Sequence, residues 1–129
     1  MTQASPLCCI LIAAPEPEGT RQRNAGDENE SPSVSCGPNT NHVAFELITQ
    51  AAREDGIPYQ VSVKPGGTAT DASTMQINRG GMATGLLGVP LRYMHTPCEL
   101  LSLKDVEDGA RLMAAYSRRV KPDTDFTPR

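Results

Sequence analysis

The sequence predicts an α/β fold: a partial, parallel-type sheet with crossover helices on its faces. Two observations carry that expectation. Helical and strand periodicities alternate along the chain in the order helix, strand, helix, strand, helix, and such alternation implies parallel strands joined by crossover helices. The second strand candidate, Ala83 to Val89 in "MATGLLGVP", is a compact apolar run of the kind found in strands covered on both faces. Strands this few do not make a free-standing parallel sheet, so the segment reads as the end of a larger domain.

The elements follow in order. "LCCILIAA", Leu7 to Ala14, is apolar and short, either a lone strand or a sticky tail. From Pro15 to Pro32 the chain is rich in Pro, Gly, Asn and charge, and such composition buries too little apolar surface to offset its ordering entropy, so a poorly ordered linker is expected. "NTNHVAFELITQAAREDG" then offers Asn39, Thr40 or Asn41 as an N-cap. Ala44, Leu47, Ile48, Ala51 and Ala52 form an apolar stripe and Gly56 a stop, so a helix is expected over 42–55.

"PYQVSVKPGG" alternates Tyr59, Val61 and Val63 against Gln60, Ser62 and Lys64, which predicts a half-buried strand broken at Pro65-Gly66-Gly67. Thr70 or Asp71 caps a short helix terminated by Gly80-Gly81, and the apolar strand ends at Pro90. Ser102 and Asp105 stand at capping-box spacing before Val106, Ala110, Met113 and Ala114, which predicts an amphipathic helix over 103–119 and a frayed tail beyond it.

Composition excludes several classes. The chain has 129 residues and a net charge of −3 with no clustered Lys or Arg, so no nucleic-acid partner is expected. Cys8, Cys9, Cys36 and Cys98 lack C-x-x-C spacing, which argues for reduced thiols rather than a disulfide framework. The apolar run near the N-terminus lacks a basic leader and is far shorter than the roughly 18 residues of a membrane span, so no membrane partner and a cytoplasmic location are expected.

In open α/β sheets, ligands bind beyond the carboxyl ends of the strands. Were Tyr59–Val63 and Ala83–Val89 parallel, "KPGGTATDAS" and "LRYMHTPCE" would leave the sheet at one edge. The first loop brings glycines, a helix N-terminus and Asp71; the second brings His95, whose imidazole suits a divalent metal if Glu99 or Asp71 orients it. A half-buried histidine bonded to its loop is the alternative reading, and Asp71 is equally an N-cap. Cys98 stands at H-x-x-C spacing from His95 but suits plain packing as well. His42 opens a helix, where a surface or capping role is natural. "PGGTATD" lacks the G-K-[ST] ending of a phosphate-binding loop, and no Ser-His-Asp or Cys-His set can be assembled.

Three blocks carry a resemblance: "SCGPNTNHVAFELITQAAREDGIPYQ", "GGTATDAS" and "GVPLRYMHTPCELLSLKDVEDGARLMAAY", the last containing the pattern R-Y-x-H-[ST]-P-x-E. From about Ser33 to Ala115 the chain resembles the carboxyl-terminal part of the cocatalytic metallo-aminopeptidases that include glutamyl aminopeptidase, the tetrahedral aminopeptidases and the proteins labelled cellulase M or endoglucanase. The resemblance implies three stretches: an unmatched, largely disordered segment 1–32, a C-terminal portion of a larger metallopeptidase domain at 33–120, and a tail 121–129. It implies a peptidase with two divalent ions, zinc or cobalt, that removes amino-terminal residues from peptides inside hollow oligomers.

By position, His95 matches the family's last metal-binding histidine. Gly66, Gly67, Thr70 and Asp71 match its substrate loop, here spelled "GGTATDA" with two residues more than Gly-Gly-Thr-Asp. The family's other ligands and its general-base Glu have no counterpart upstream, so no catalytic residue is assigned. A catalytic metal needs about three protein ligands and an open water position. The chain alone is therefore expected to be inactive and catalytic only within a longer or complemented polypeptide, its expected partners being a complementary polypeptide or copies of itself; a non-catalytic binding module and a nonfunctional remnant are the alternatives.

Overall fold

The computed structural model describes residues 9–12, 31–68, 70–78, 80–93 and 95–127. The elements are β1 (Cys9–Ile12), β2 (Ser33–Cys36), α1 (His42–Glu54), β3 (Gln60–Val63), α2 (Asp71–Met75), β4 (Thr84–Gly88), β5 (Leu91–Arg92), β6 (Leu100–Leu101) and α3 (Leu103–Arg119). The expected linker falls almost wholly outside the described residues. The early apolar run takes its strand alternative: β1 lies in the sheet beside β4.

The main sheet has the order β1-β4-β2-β3. β1 runs parallel to β4 and β2 parallel to β3, but β2 and β4 are antiparallel, with Ser33 opposite Gly88 and Val34 opposite Leu87. The sheet is therefore mixed, two parallel pairs joined antiparallel at the centre. β3 and β4 point in opposite directions, which corrects the expectation that they run parallel. Nothing in "SVSC" announced β2, since Val34 is its one large apolar residue, and a four-residue strand is specified by the neighbours that pair with it.

Helix α1 is the element local sequence determines best. Asn41 is its N-cap, the side-chain oxygen accepting from the Ala44 N–H at 3.0 Å. At the other end Gly56 is left-handed, with φ of 62°, while the Ile57 N–H reaches the Ala52 carbonyl at 2.9 Å and the Gly56 N–H the Arg53 carbonyl at 3.4 Å. These two bonds form a Schellman closure, which needs a residue free of a Cβ at Gly56. Between the ends, Ala44, Ile48, Ala51 and Ala52 are buried as the stripe required.

Helix α3 has the expected bounds but a different buried face. Asp105, Asp108, Gly109, Leu112, Ala115 and Tyr116 point inward, whereas Val106, Ala110 and Ala114 are exposed. Ser102 is the N-cap by position, yet its side chain makes no capping bond. A Cβ at Gly109 would sit 3.1 Å from a Val89 methyl, a tight contact, so the helix lies close against the end of β4 there. The core joins Val34 and Leu87 of the sheet to Ile48, Ala51 and Ala52 of α1 and to Leu112, Ala115 and Tyr116 of α3, with Ile57 closing the end.

Two more expectations change. β4 is buried throughout, as its composition required, but β3 is largely exposed, Val61 at 50% and Val63 at 72%. Alternation does place Tyr59 against the core, but the two valines of this edge strand are left uncovered. The tail does not fray at Phe126, which is buried and whose carbonyl accepts from the Asn41 side-chain amide at 2.8 Å. No helix of the described residues is long and apolar enough to cross a membrane.

Candidate functional site

Because β3 and β4 point in opposite directions, the two nominated loops leave the sheet at opposite ends. β3 ends at Val63 beside Cys36, whereas β4 ends at Gly88 beside Ser33. The glycine loop between β3 and α2 thus stands at the end where β4 begins. The His95 loop stands beyond the other end, at the tip of the β5–β6 hairpin, in which Leu91 faces Leu101 and Arg92 faces Leu100. One shared rim, expected if the strands were parallel, is not formed.

The glycine loop is closed on itself by hydroxyl groups. Thr68 is 3% exposed, and its Oγ1 lies 2.9 Å from Thr70 Oγ1 and 2.7 Å from Ser73 Oγ. The Thr68 N–H also donates to Ser73 Oγ at 3.1 Å. Buried hydroxyls satisfied in this way hold a loop in one conformation, because breaking any of them strands a polar group away from water. Thr70 occupies the N-cap position of α2 without a side-chain capping bond, and exposed Asp71 is the first helical residue rather than the cap. Gly66 and Gly67 are exposed, and the Asn39 amide reaches the Gly66 carbonyl at 3.4 Å. Sequence reasoning missed Ser73, since nothing local marks a serine as the partner of a threonine five residues earlier.

The loop is set against the sheet by Gly37. A Cβ at this position would lie 2.0 Å from the Lys64 carbonyl oxygen, so the turn after β2 and the exit of β3 can meet only over a glycine. The Lys64 N–H donates to the Cys36 carbonyl at 2.8 Å at the same place.

The hairpin tip is built differently. Tyr93 and His95 have φ of 59° and 62°, the left-handed region that costs an L-residue with a Cβ about 1–2 kcal/mol. The turn is closed by Thr96, whose N–H and hydroxyl both donate to the Tyr93 carbonyl, at 3.1 and 2.6 Å. Glu99 accepts from the His95 backbone N–H at 2.8 Å. That bond answers the expectation that Glu99 or Asp71 orients the imidazole: Glu99 holds the backbone of His95, and Asp71 is at the other end of the sheet. His95, Cys98 and Glu99 are all exposed. Cys36 and Cys98 are free thiols, and exposed His42 pairs with Glu46 at 2.9 Å in an i, i+4 contact on α1.

Among the described residues, no group of three or more His, Cys, Asp or Glu side chains could hold a metal ion. A lone exposed imidazole does not retain a divalent ion, which takes about three or four protein ligands. The described residues therefore do not by themselves fit a metal centre.

The sequence of the M42 glutamyl aminopeptidase family matches residues 12–112. The chain belongs to that family. The match begins well upstream of Ser33, so it takes in the last residue of β1 and the stretch that follows. The chain is 41% identical over 99 residues to lysyl aminopeptidase of Pyrococcus furiosus, across 77% of this chain and 28% of that protein. Its fold superposes on an aminopeptidase of Desulfurococcus kamchatkensis with a TM-score of 0.69 at 29% identity, covering 90% of this chain and 34% of the other. It superposes on the Pyrococcus horikoshii TET1 peptidase, described as assembling into a tetrahedron or a large octahedral shell, with a TM-score of 0.54 at 29% identity, covering 70% and 27%. The chain thus spans about a third or less of the length of these relatives, as a fragment of a larger α/β domain does.

Proposed function

We propose that this M42-family segment supplies a metal ligand to an aminopeptidase active site whose other ligands come from polypeptide outside it. The complete enzyme would remove amino-terminal residues from peptides in the cytoplasm, and two divalent ions, zinc or cobalt, held in part by His95, would supply a water of lowered pKa for that hydrolysis. His95 is the metal ligand this chain contributes; Gly66, Gly67, Thr70 and Asp71, at the opposite end of the sheet, meet substrate only where a second copy or the complementary polypeptide brings it to them. The observation that carries this reading is the R-Y-M-H-T-P-C-E block inside the family match, with His95 exposed at a hairpin tip and so open to ligands from elsewhere. No residue of this chain serves as general base, and the chain alone has negligible peptidase activity. It associates with a complementary polypeptide or with copies of itself.

A non-catalytic binding or oligomerisation role is the second reading, favoured by the exposed valines of β3 and by the lack of a three-donor cluster among the described residues. Metal content separates the two. With the purified chain and its His95→Ala variant dialysed against zinc or cobalt, and then mixed with a polypeptide carrying the upstream part of a family member, the first reading expects stoichiometric metal and metal-dependent release of amino-terminal residues only in the mixture with the unsubstituted chain. Equal metal in both mixtures, or none in either, sinks it.

A further inference from the structure

The outer edge of β3 has no pairing partner among the described residues, and its backbone bonds reveal what it presents. The Gln60 N–H donates to the Pro32 carbonyl at 2.9 Å and the Lys64 N–H to the Cys36 carbonyl at 2.8 Å, in the register that pairs Ser35 with Ser62. Residues 60, 62 and 64 therefore direct their N–H and C=O groups inward to β2. By alternation, Val61 and Val63 direct theirs outward. The side chains of the same two residues are the exposed valines on one face of the strand. Within Gln60–Val63 there is no proline and no charge; Lys64 and Pro65, two of the devices by which edge strands avoid pairing, stand only at its end.

We propose that this edge pairs with β3 of a second copy of the chain, antiparallel, about a two-fold axis through Ser62. The inference deepens the self-association named above and rests on it. An antiparallel ladder alternates residues that exchange both hydrogen bonds with residues that exchange none. Placing the axis at Ser62 sets Val61 opposite Val63 of the second copy, and Val63 opposite its Val61, so every outward N–H and C=O of both valines finds a partner. The same register brings the four valines together on one face, where cross-strand β-branched pairs pack. Lys64 then lies opposite Gln60, so no like charges meet. An axis between two residues instead sets outward groups against inward ones, and one through Val61 must use Tyr59, which lies outside the strand and whose hydroxyl is held by Arg53 at 3.1 Å. A second copy is favoured over a foreign strand because the one sequence satisfies both sides of a two-fold contact.

Sedimentation of the full chain over a range of concentrations tests this, together with Val63→Pro and Val63→Thr. Proline removes an outward N–H that β2 does not use, and threonine keeps it. The expected result is a reversible dimer whose dissociation constant rises more than about tenfold in Val63→Pro and changes little in Val63→Thr. Because Ser62 faces its symmetry mate in a non-hydrogen-bonded pair, within disulfide reach, Ser62→Cys is expected to give a 62-to-62 disulfide under mild oxidation, identified by peptide mapping. A dimer indifferent to Val63→Pro leaves self-association standing but overturns this edge, as does a disulfide formed by Val61→Cys in place of Ser62→Cys. A monomer at all concentrations overturns both. Amide protection of Val61 and Val63 that does not depend on concentration assigns the edge to a segment of the same chain and likewise overturns the proposal.

Discussion

The glycine loop and the histidine hairpin differ in what holds them. The first is closed by buried hydroxyls and anchored to the sheet through Gly37; the second protrudes from a two-residue pairing and keeps two left-handed residues in place with three hydrogen bonds at its surface. The difference shows which loop carries its own scaffold. Thr68 and Ser73 make the glycine loop self-supporting, whereas left-handed Tyr93 and His95 persist only where surroundings determine them. The chain covers 28% of its lysyl aminopeptidase relative, and of the two regions the hairpin is the one less supported by its own residues.

The sharpest break in this comparison is Gly37→Ala. With a backbone oxygen 2.0 Å from the added methyl, the contact has no flexible side chain to yield, so β2 and β3 must part where the loop begins. A loss of about 3 kcal/mol or more in denaturant unfolding is expected, with the glycine loop becoming protease-sensitive. A near-neutral substitution would show that the approach of Gly37 to Lys64 is not what sets the loop.

A smaller effect separates the loops directly. Thr68→Val keeps the shape but removes the hydroxyl shared by Thr70 and Ser73, and is expected to cost about 1–3 kcal/mol. Glu99→Ala, which removes an exposed bond to the His95 N–H, is expected to cost under about 0.5 kcal/mol in the same assay. Equal losses would erase the contrast.

The smallest effect concerns the ion pairs that join α1 to α3. Arg119 on α3 bonds Glu54 at 3.0 Å and Asp55 at 2.6 Å at the end of α1, and Arg118 reaches Asp55 at 3.3 Å. The Gln50 amide and then Arg119 hold the Glu54 carboxyl below its ordinary value of 4.5, and Arg119 chiefly holds Asp55 below 3.8. Both folded carboxyls are more acidic than in the unfolded chain. Their contribution is thus fully present above those ordinary values and is lost as pH falls below them toward the folded values. These groups are solvent-exposed, so the change is modest. A thermal-melting series across that acid range should show Arg119→Ala with a flatter pH dependence; an unchanged slope would remove the clamp from the account.

Much of the chain was legible because its signals are local. Asn41 as a cap, the Gly56 stop and the stripe from Ala44 to Ala52 all act within a few residues, so α1 is where it was expected. α3 shows the limit: its bounds follow from local turns, but of its expected stripe Met113 packs on the core while Val106, Ala110 and Ala114 do not, because which face of a helix is buried is set by what lies against it. β2 and the β5–β6 hairpin went unread for a related reason, being too short to carry a period of their own. In the candidate site, the identity of His95 and of the glycine loop came from motif and resemblance, whereas the Thr68, Thr70 and Ser73 bonds and the backbone role of Glu99 came only from the fold.

By itself the sequence determined which segments are helical, which strand is covered on both faces and which family the blocks at Gly66–Asp71 and Arg92–Glu99 resemble, since each is written in contiguous residues. Tertiary structure alone decided that β2 enters between β3 and β4 and reverses their relative direction. Strand direction within a sheet is set by pairing between distant segments, and four residues such as Ser33–Cys36 alternate identically whichever way they run. That choice sends the two nominated loops to opposite ends of the sheet and leaves Val61 and Val63 on its edge.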